Sequence, residues 1–98
     1  MIKNLKKLIE YPEEGILNKR IFKYEKSDVS LFCMTSGTEI SPHTSTKEGI
    51  IYIIEGNGVF NLDGKDIKME RGVIIHMKEG DVHSLKAVKN TSFLLILI

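Results

Sequence analysis

Three histidines, His43, His76 and His83, are the side chains here best suited to metal or proton chemistry. A neutral imidazole is a good ligand for a divalent transition metal, and its ordinary pKa lies close to neutrality. His43 and His83 are far apart in the chain, so only the fold can bring them together. Glu48 offers a carboxylate, a candidate further ligand only if its loop can turn it toward the histidines. Strand periodicity opposes that, since one step turns a side chain to the other face, and the plainer reading is an exposed loop carboxylate. His76 lies in the run 73–77, where Val73, Ile75 and Met77 form an apolar set suited to an interior. That turns His76 outward, to the surface or a subunit contact; facing inward it would complete a three-histidine site. Ser45 and Thr46 place hydroxyls beside His43. No acid is placed to orient that histidine and no nucleophile-elbow pattern is present, so both read as turn-capping or pocket-lining groups. Cys33, in an alternating strand, reads as a small buried apolar residue. As the only cysteine it excludes an internal disulfide and a cysteine-based zinc site.

The chain that must position these groups has 98 residues, enough for one domain. An apolar content of 42% with 28% charged residues is ordinary globular composition. Fourteen basic residues against 13 acidic ones leave a net charge of +1. Neither sign is concentrated in one segment, so nucleic acid is not an expected partner. The longest apolar runs, 50–54 and 93–98, fall far short of the roughly 20 residues a membrane span needs. The lysine-bearing N-terminus lacks the apolar stretch of a signal peptide. A cytoplasmic location without membrane contact is the expectation.

Leu5, Leu8 and Ile9 fall at helical spacing before Pro12, which predicts a short helix or irregular arm within residues 1–15. From Ile16 onward the pattern is that of strands: alternation through 16–25 and 29–34, then the β-branched run 50–54. Asp63-Gly64 is a two-residue hairpin signal, and Gly56-Asn57-Gly58, Arg71-Gly72 and the segment 78–81 mark further turns. About eight short strands with regularly spaced turn signals predict an all-β sandwich or barrel. The run 93–98 has no charge, proline or glycine, and as a free edge it would aggregate. It must lie centrally in a sheet or be covered by a partner chain.

Two stretches carry spacing beyond generic strand patterning. The first is Gly37, five residues, His43-Thr44-Ser45, three residues, Gly49, then six residues and Gly56. The second is Gly72, five residues, Lys78-Glu79-Gly80, two residues, His83, three residues and Ala87. Together they resemble the two motifs of the cupin superfamily. Gly37, His43, Gly56, Gly72, Gly80 and His83 stand at the family's positions. Ser45 stands in place of the second histidine, and Gly49 in place of the glutamate, with Glu48 one residue early. Lys78 replaces the proline and Ala87 the asparagine.

The resemblance covers residues 29–98 and implies a cupin-type jelly-roll β-barrel with an interior pocket. One domain, 1–98, would then comprise an N-terminal arm (1–15) and the barrel core (29–98). The resemblance also implies a metal site at His43 and His83. These are the two survivors of a three-histidine, one-glutamate set that suits iron, manganese, nickel or zinc. Ser45 and Thr46 would stand at its pocket. Cupins commonly dimerise, and the apolar terminal strand argues the same way for a homodimer.

Three functions stay open at this level. The first is a metal-dependent enzyme acting on a small molecule, with a degenerate two-histidine site. The second is a non-catalytic module that binds or senses a small ligand. The third is a structural homo-oligomer with a vestigial pocket.

Overall fold

The structure, a computed structural model covering Met1–Ile98, has one short helix, α1 (Leu5–Leu8), followed by nine strands. These are β1 (Ile16–Lys23), β2 (Asp28–Met34), β3 (Glu39–His43), β4 (Gly49–Glu55), β5 (Asn57–Leu62), β6 (Lys65–Glu70), β7 (Ile74–Met77), β8 (His83–Ala87) and β9 (Thr91–Leu97). They form two antiparallel sheets, ordered β1-β2-β9-β4-β7 and β3-β8-β5-β6. The sheets pack face to face in the predicted jelly roll. Met34, Ile53, Phe60 and Met69 are fully buried between them, with Ile51, Ile75 and Phe93 around them. No helix is long and apolar enough to cross a membrane.

The apolar terminal run forms most of β9, which lies between β2 and β4 at the centre of its sheet. Both edges of that strand are therefore paired, as its composition requires. Asp63 and Gly64 both take positive φ, 49° and 86°, in the tight turn joining β5 to β6. Two left-handed residues match the twist of the flanking strands.

β3 was not legible in the sequence. It falls inside the polar stretch 36–45 and lies at a sheet edge, with four of its five residues exposed. No apolar alternation marks such a strand. Pro42 is tolerated there because an edge position does not demand its missing N–H.

The N-terminal arm lies across the outer face of the five-stranded sheet. Asn4 caps α1, its Oδ1 accepting from the Lys6 N–H at 3.1 Å. Lys19 Nζ donates to the Leu8 carbonyl at 2.9 Å, and Thr35 Oγ1 to the Pro12 carbonyl at 2.6 Å. Tyr11 reaches further, its hydroxyl donating to Glu55 Oε2 at 2.8 Å. Burial, with the Glu55 carboxylate beside it, pushes that hydroxyl up to about 12. Leu31 and Cys33 are fully buried on this outer side. Burial also raises the Cys33 thiol, keeping it protonated and unreactive.

Candidate functional site

The site is built where β3 and β8 pair. His83 opens β8, and alternation puts His83, Leu85 and Ala87 on its inner face, all three buried. On β3, Ile40 pairs with Leu85 and His43 with His83. Three steps on β3 thus match two on β8, and a β-bulge absorbs the extra residue. Regular alternation would have turned His43 away from the side that Ile40 faces. The bulge instead returns it to the side that Ile40 faces, opposite His83, where its ring remains exposed to solvent while lining the cavity.

The two imidazoles meet with ring centroids 4.1 Å apart, at 59° to each other. Each is oriented by a backbone carbonyl two residues earlier. His43 Nδ1 lies 2.9 Å from the Ser41 oxygen, and His83 Nδ1 lies 3.1 Å from the Asp81 oxygen. A carbonyl only accepts, so in each case Nδ1 carries the hydrogen, and Nε2 is the nitrogen whose lone pair a neutral ring offers to a ligand. On its other side His83 stacks on Phe60, with centroids 5.7 Å apart and planes within 6°. His83 is only 5% exposed. Burial lowers its pKa below the ordinary 6.5, and the neighbouring His43 adds to this, against the opposing pull of Asp81 and Asp63. Two imidazoles at close range form the centre of the site.

A cavity of about 60 Å³ adjoins both histidines. Its remaining walls are apolar and include Phe32, Ile51, Met77, Phe93 and Leu95. It has room for an ion and a few waters, or for a ligand fragment of a few heavy atoms. A larger hollow, about 430 Å³, lies on the outer side of the four-stranded sheet. There Asn61 donates to Asp66 at 2.8 Å and Lys86 pairs with Glu39 at 3.5 Å, so its polar groups largely satisfy one another.

The other residues singled out in the sequence do not join the histidine pair. His76 turns outward while Ile75 and Met77 point into the core. Its Nε2 contacts Glu48 Oε2, and both side chains are about half exposed. Glu48 is therefore engaged on the outer face, for the reason alternation gives: Gly49 beside it is the residue that faces inward. Ser45 Oγ donates to the Lys47 carbonyl at 3.0 Å and accepts from the Lys47 N–H at 3.2 Å. Its hydroxyl closes a turn, and neither it nor the exposed Thr46 lines the cavity. No cluster of three or more His, Cys, Asp or Glu side chains is assembled anywhere in the chain.

Phe60 and the apolar cavity walls escaped sequence reasoning. Phe60 could have been found from the inward phase it shares with Gly58 on β5, since both are buried. Its stacking on a histidine of another strand could not.

The fold is widely shared among solved structures. A conserved protein of unknown function from Streptococcus pyogenes superposes with a TM-score of 0.88 at 21% identity, covering 100% of this chain and 86% of that one. A cupin superfamily protein from Desulfitobacterium hafniense gives 0.88 at 20% identity, covering 96% and 86%. A predicted oxalate decarboxylase from Thermotoga maritima gives 0.78 at 23% identity, covering 85% and 79%. No curated protein matches the chain. Residues 30–98 match the family described as "Cupin domain". With two motif histidines paired across β3 and β8 of a nine-stranded jelly roll, the chain belongs to the cupin-domain family.

Proposed function

We propose that this protein is a small cupin that holds one transition-metal ion on His43 and His83 and presents it to a small molecule entering the barrel. The observation that carries the reading is the pair of imidazoles with ring centroids 4.1 Å apart, each anchored through Nδ1 to a backbone carbonyl. A bound ion would supply Lewis acidity toward an oxygen donor of the ligand. Both rings are turned by their backbone carbonyls before any ion arrives, and burial favours the neutral form of His83. Phe60 fixes the His83 ring plane from behind, and the apolar walls limit water around the ligand. The donor set lacks the carboxylate of a two-histidine, one-carboxylate oxygenase site. A ligand bringing its own oxygen donors would fit best. The predicted oxalate decarboxylase among the fold's neighbours is consistent with such small oxygen-rich ligands.

Metal content of untagged protein, measured by elemental mass spectrometry, tests this directly. About one transition-metal ion per chain is expected after incubation with iron, manganese, nickel, copper or zinc salts. Protein that stays metal-free throughout would retire the reading. One observation favours a second reading, a metal-independent binding pocket: apart from the histidines, the cavity is walled by apolar side chains. Its signature would be a ligand-induced rise in melting temperature that survives chelation.

The single domain, with its arm over residues 1–15 and its core over 29–98, is proposed to work as a cytoplasmic homodimer. The outer face of the five-stranded sheet supports this. Beyond the arm it exposes Tyr52, Ile74 and Ile98 by 41%, 67% and 57%, next to half-buried Ile50, Leu94 and Ile96. A second copy is the natural cover for an apolar face of this kind. Light scattering at micromolar concentration should give twice the 11.1 kDa chain mass; the monomer mass would refute the dimer.

A further inference from the structure

We propose that the Met77 thioether is the third protein donor of the histidine cavity, and that the resulting two-imidazole, one-thioether site takes monovalent copper. The proposal rests on the metal-holding role of His43 and His83 given above and adds a ligand and an ion to it.

Position is the first argument. Met77 is 2% exposed, and it lines the same 60 Å³ cavity as both histidines. Its strand partner is Gly49, the buried residue at the glutamate position of the first motif. A Cβ built on Gly49 would stand 3.4 Å from the Met77 methyl and 3.2 Å from Leu97 Cδ2. A side chain at residue 49 would therefore stand against the Met77 methyl and press on Leu97.

Donor chemistry is the second. Two imidazole nitrogens and a thioether sulfur are all uncharged, and thioethers favour soft ions such as Cu(I) over manganese or magnesium. Charge is the third. No carboxylate or thiolate joins the cavity to offset a divalent ion. The cost of taking an ion out of water scales with the square of its charge, so a monovalent ion incurs about a quarter of the divalent penalty. A neutral, apolar-walled pocket thus selects by charge as well as by softness.

Met77 is the one sulfur-bearing residue that lines the cavity. Met34 and Met69 are buried but do not line the cavity, and Cys33 lies on the outer side of its sheet under the N-terminal arm. A methionine that merely fills space would be replaceable by leucine with no effect on metal binding.

The test is an anaerobic Cu(I) competition against a chromophoric bathocuproine chelator, with Zn(II) titrated in parallel. Full-length wild type, Met77→Leu and His43→Ala/His83→Ala are compared, each checked for folding by circular dichroism. Wild type should bind one Cu(I) per chain. Met77→Leu should weaken Cu(I) by about tenfold or more while leaving Zn(II) affinity nearly unchanged. X-ray absorption of the wild-type copper complex needs no substitution and should show a sulfur neighbour. Unchanged Cu(I) binding in Met77→Leu, or a copper shell without sulfur, would overturn the thioether and leave the histidine pair standing. Zn(II) bound through the histidines in preference to Cu(I) would overturn the choice of ion alone. Undiminished copper binding in the double-histidine variant, or no binding of any metal by wild type, would remove both readings.

Discussion

Replacing Gly56 with alanine should leave almost no folded protein. Gly56 sits at the corner between β4 and β5 with φ of 123°, a conformation that side-chain-bearing residues rarely adopt. Space is the larger obstacle. A Cβ there would stand 2.5 Å from the Thr91 Cα and 2.7 Å from the Asn90 carbonyl oxygen, both main-chain atoms. Thr91 cannot retreat easily. It is fully buried, and its Oγ1 accepts from the Asn57 N–H at 3.1 Å while donating toward Lys89 and Asn57 carbonyls. Clash and strain together should cost at least about 4 kcal/mol, much of the stability of a domain this small. Gly64→Ala is the matched control. Its φ is also positive, 86°, but nothing lies within 4 Å of the added Cβ, so only the left-handed penalty of about 1–2 kcal/mol applies. Urea unfolding followed by circular dichroism measures both. Equal midpoints for the two variants would mean that the corner gives way more readily than its contacts imply.

The second large effect is expected in metal binding. His43→Ala/His83→Ala removes both nitrogen donors and should abolish metal retention, while each single variant should weaken it severely. Stability should divide the two residues. His43 is exposed, whereas His83 is buried against Phe60. His83→Ala is thus expected to cost about 1–3 kcal/mol and His43→Ala well under 1. Acid should reveal His83 in the wild type. Its folded pKa is lowered, so below the ordinary 6.5 the unfolded chain takes up a proton that the folded chain resists. The contribution is complete above pH 6.5 and is lost as pH falls toward the folded value. His83→Phe should remove that part of the acid slope. A metal-binding double variant, or an unchanged acid slope in His83→Phe, would separate these histidines from the roles given to them here.

How far the sequence reached differs from element to element. Strands that bury one face announced themselves. β4, with its β-branched run, and β9, with no polar residue after Ser92, are examples, as is the β5–β6 turn with its Asp-Gly pair. That β9 could not be a free edge was also readable, and the structure chose its central place over cover by a partner chain. β3 stayed hidden because an exposed edge strand buries almost nothing, and burial is what apolar patterning records. The outward phase of His76 was readable from Ile75 and Met77, but its partnership with Glu48 was not.

Strand patterning and turn signals were enough for an all-β sandwich or barrel, while the jelly roll and the attention to His43 and His83 came from the resemblance of the motifs to those of cupins. The meeting of the two histidines was decided only in three dimensions. Ile40 and His43 are three residues apart, and period-two alternation sends them to opposite faces. The bulge against Leu85 and His83 puts them on one face, and a bulge depends on how two strands pair rather than on either strand alone. The same holds for Met77 beside Gly49. Which side chain fills the space above a glycine is a matter of sheet register and packing, and no spacing within one strand encodes it.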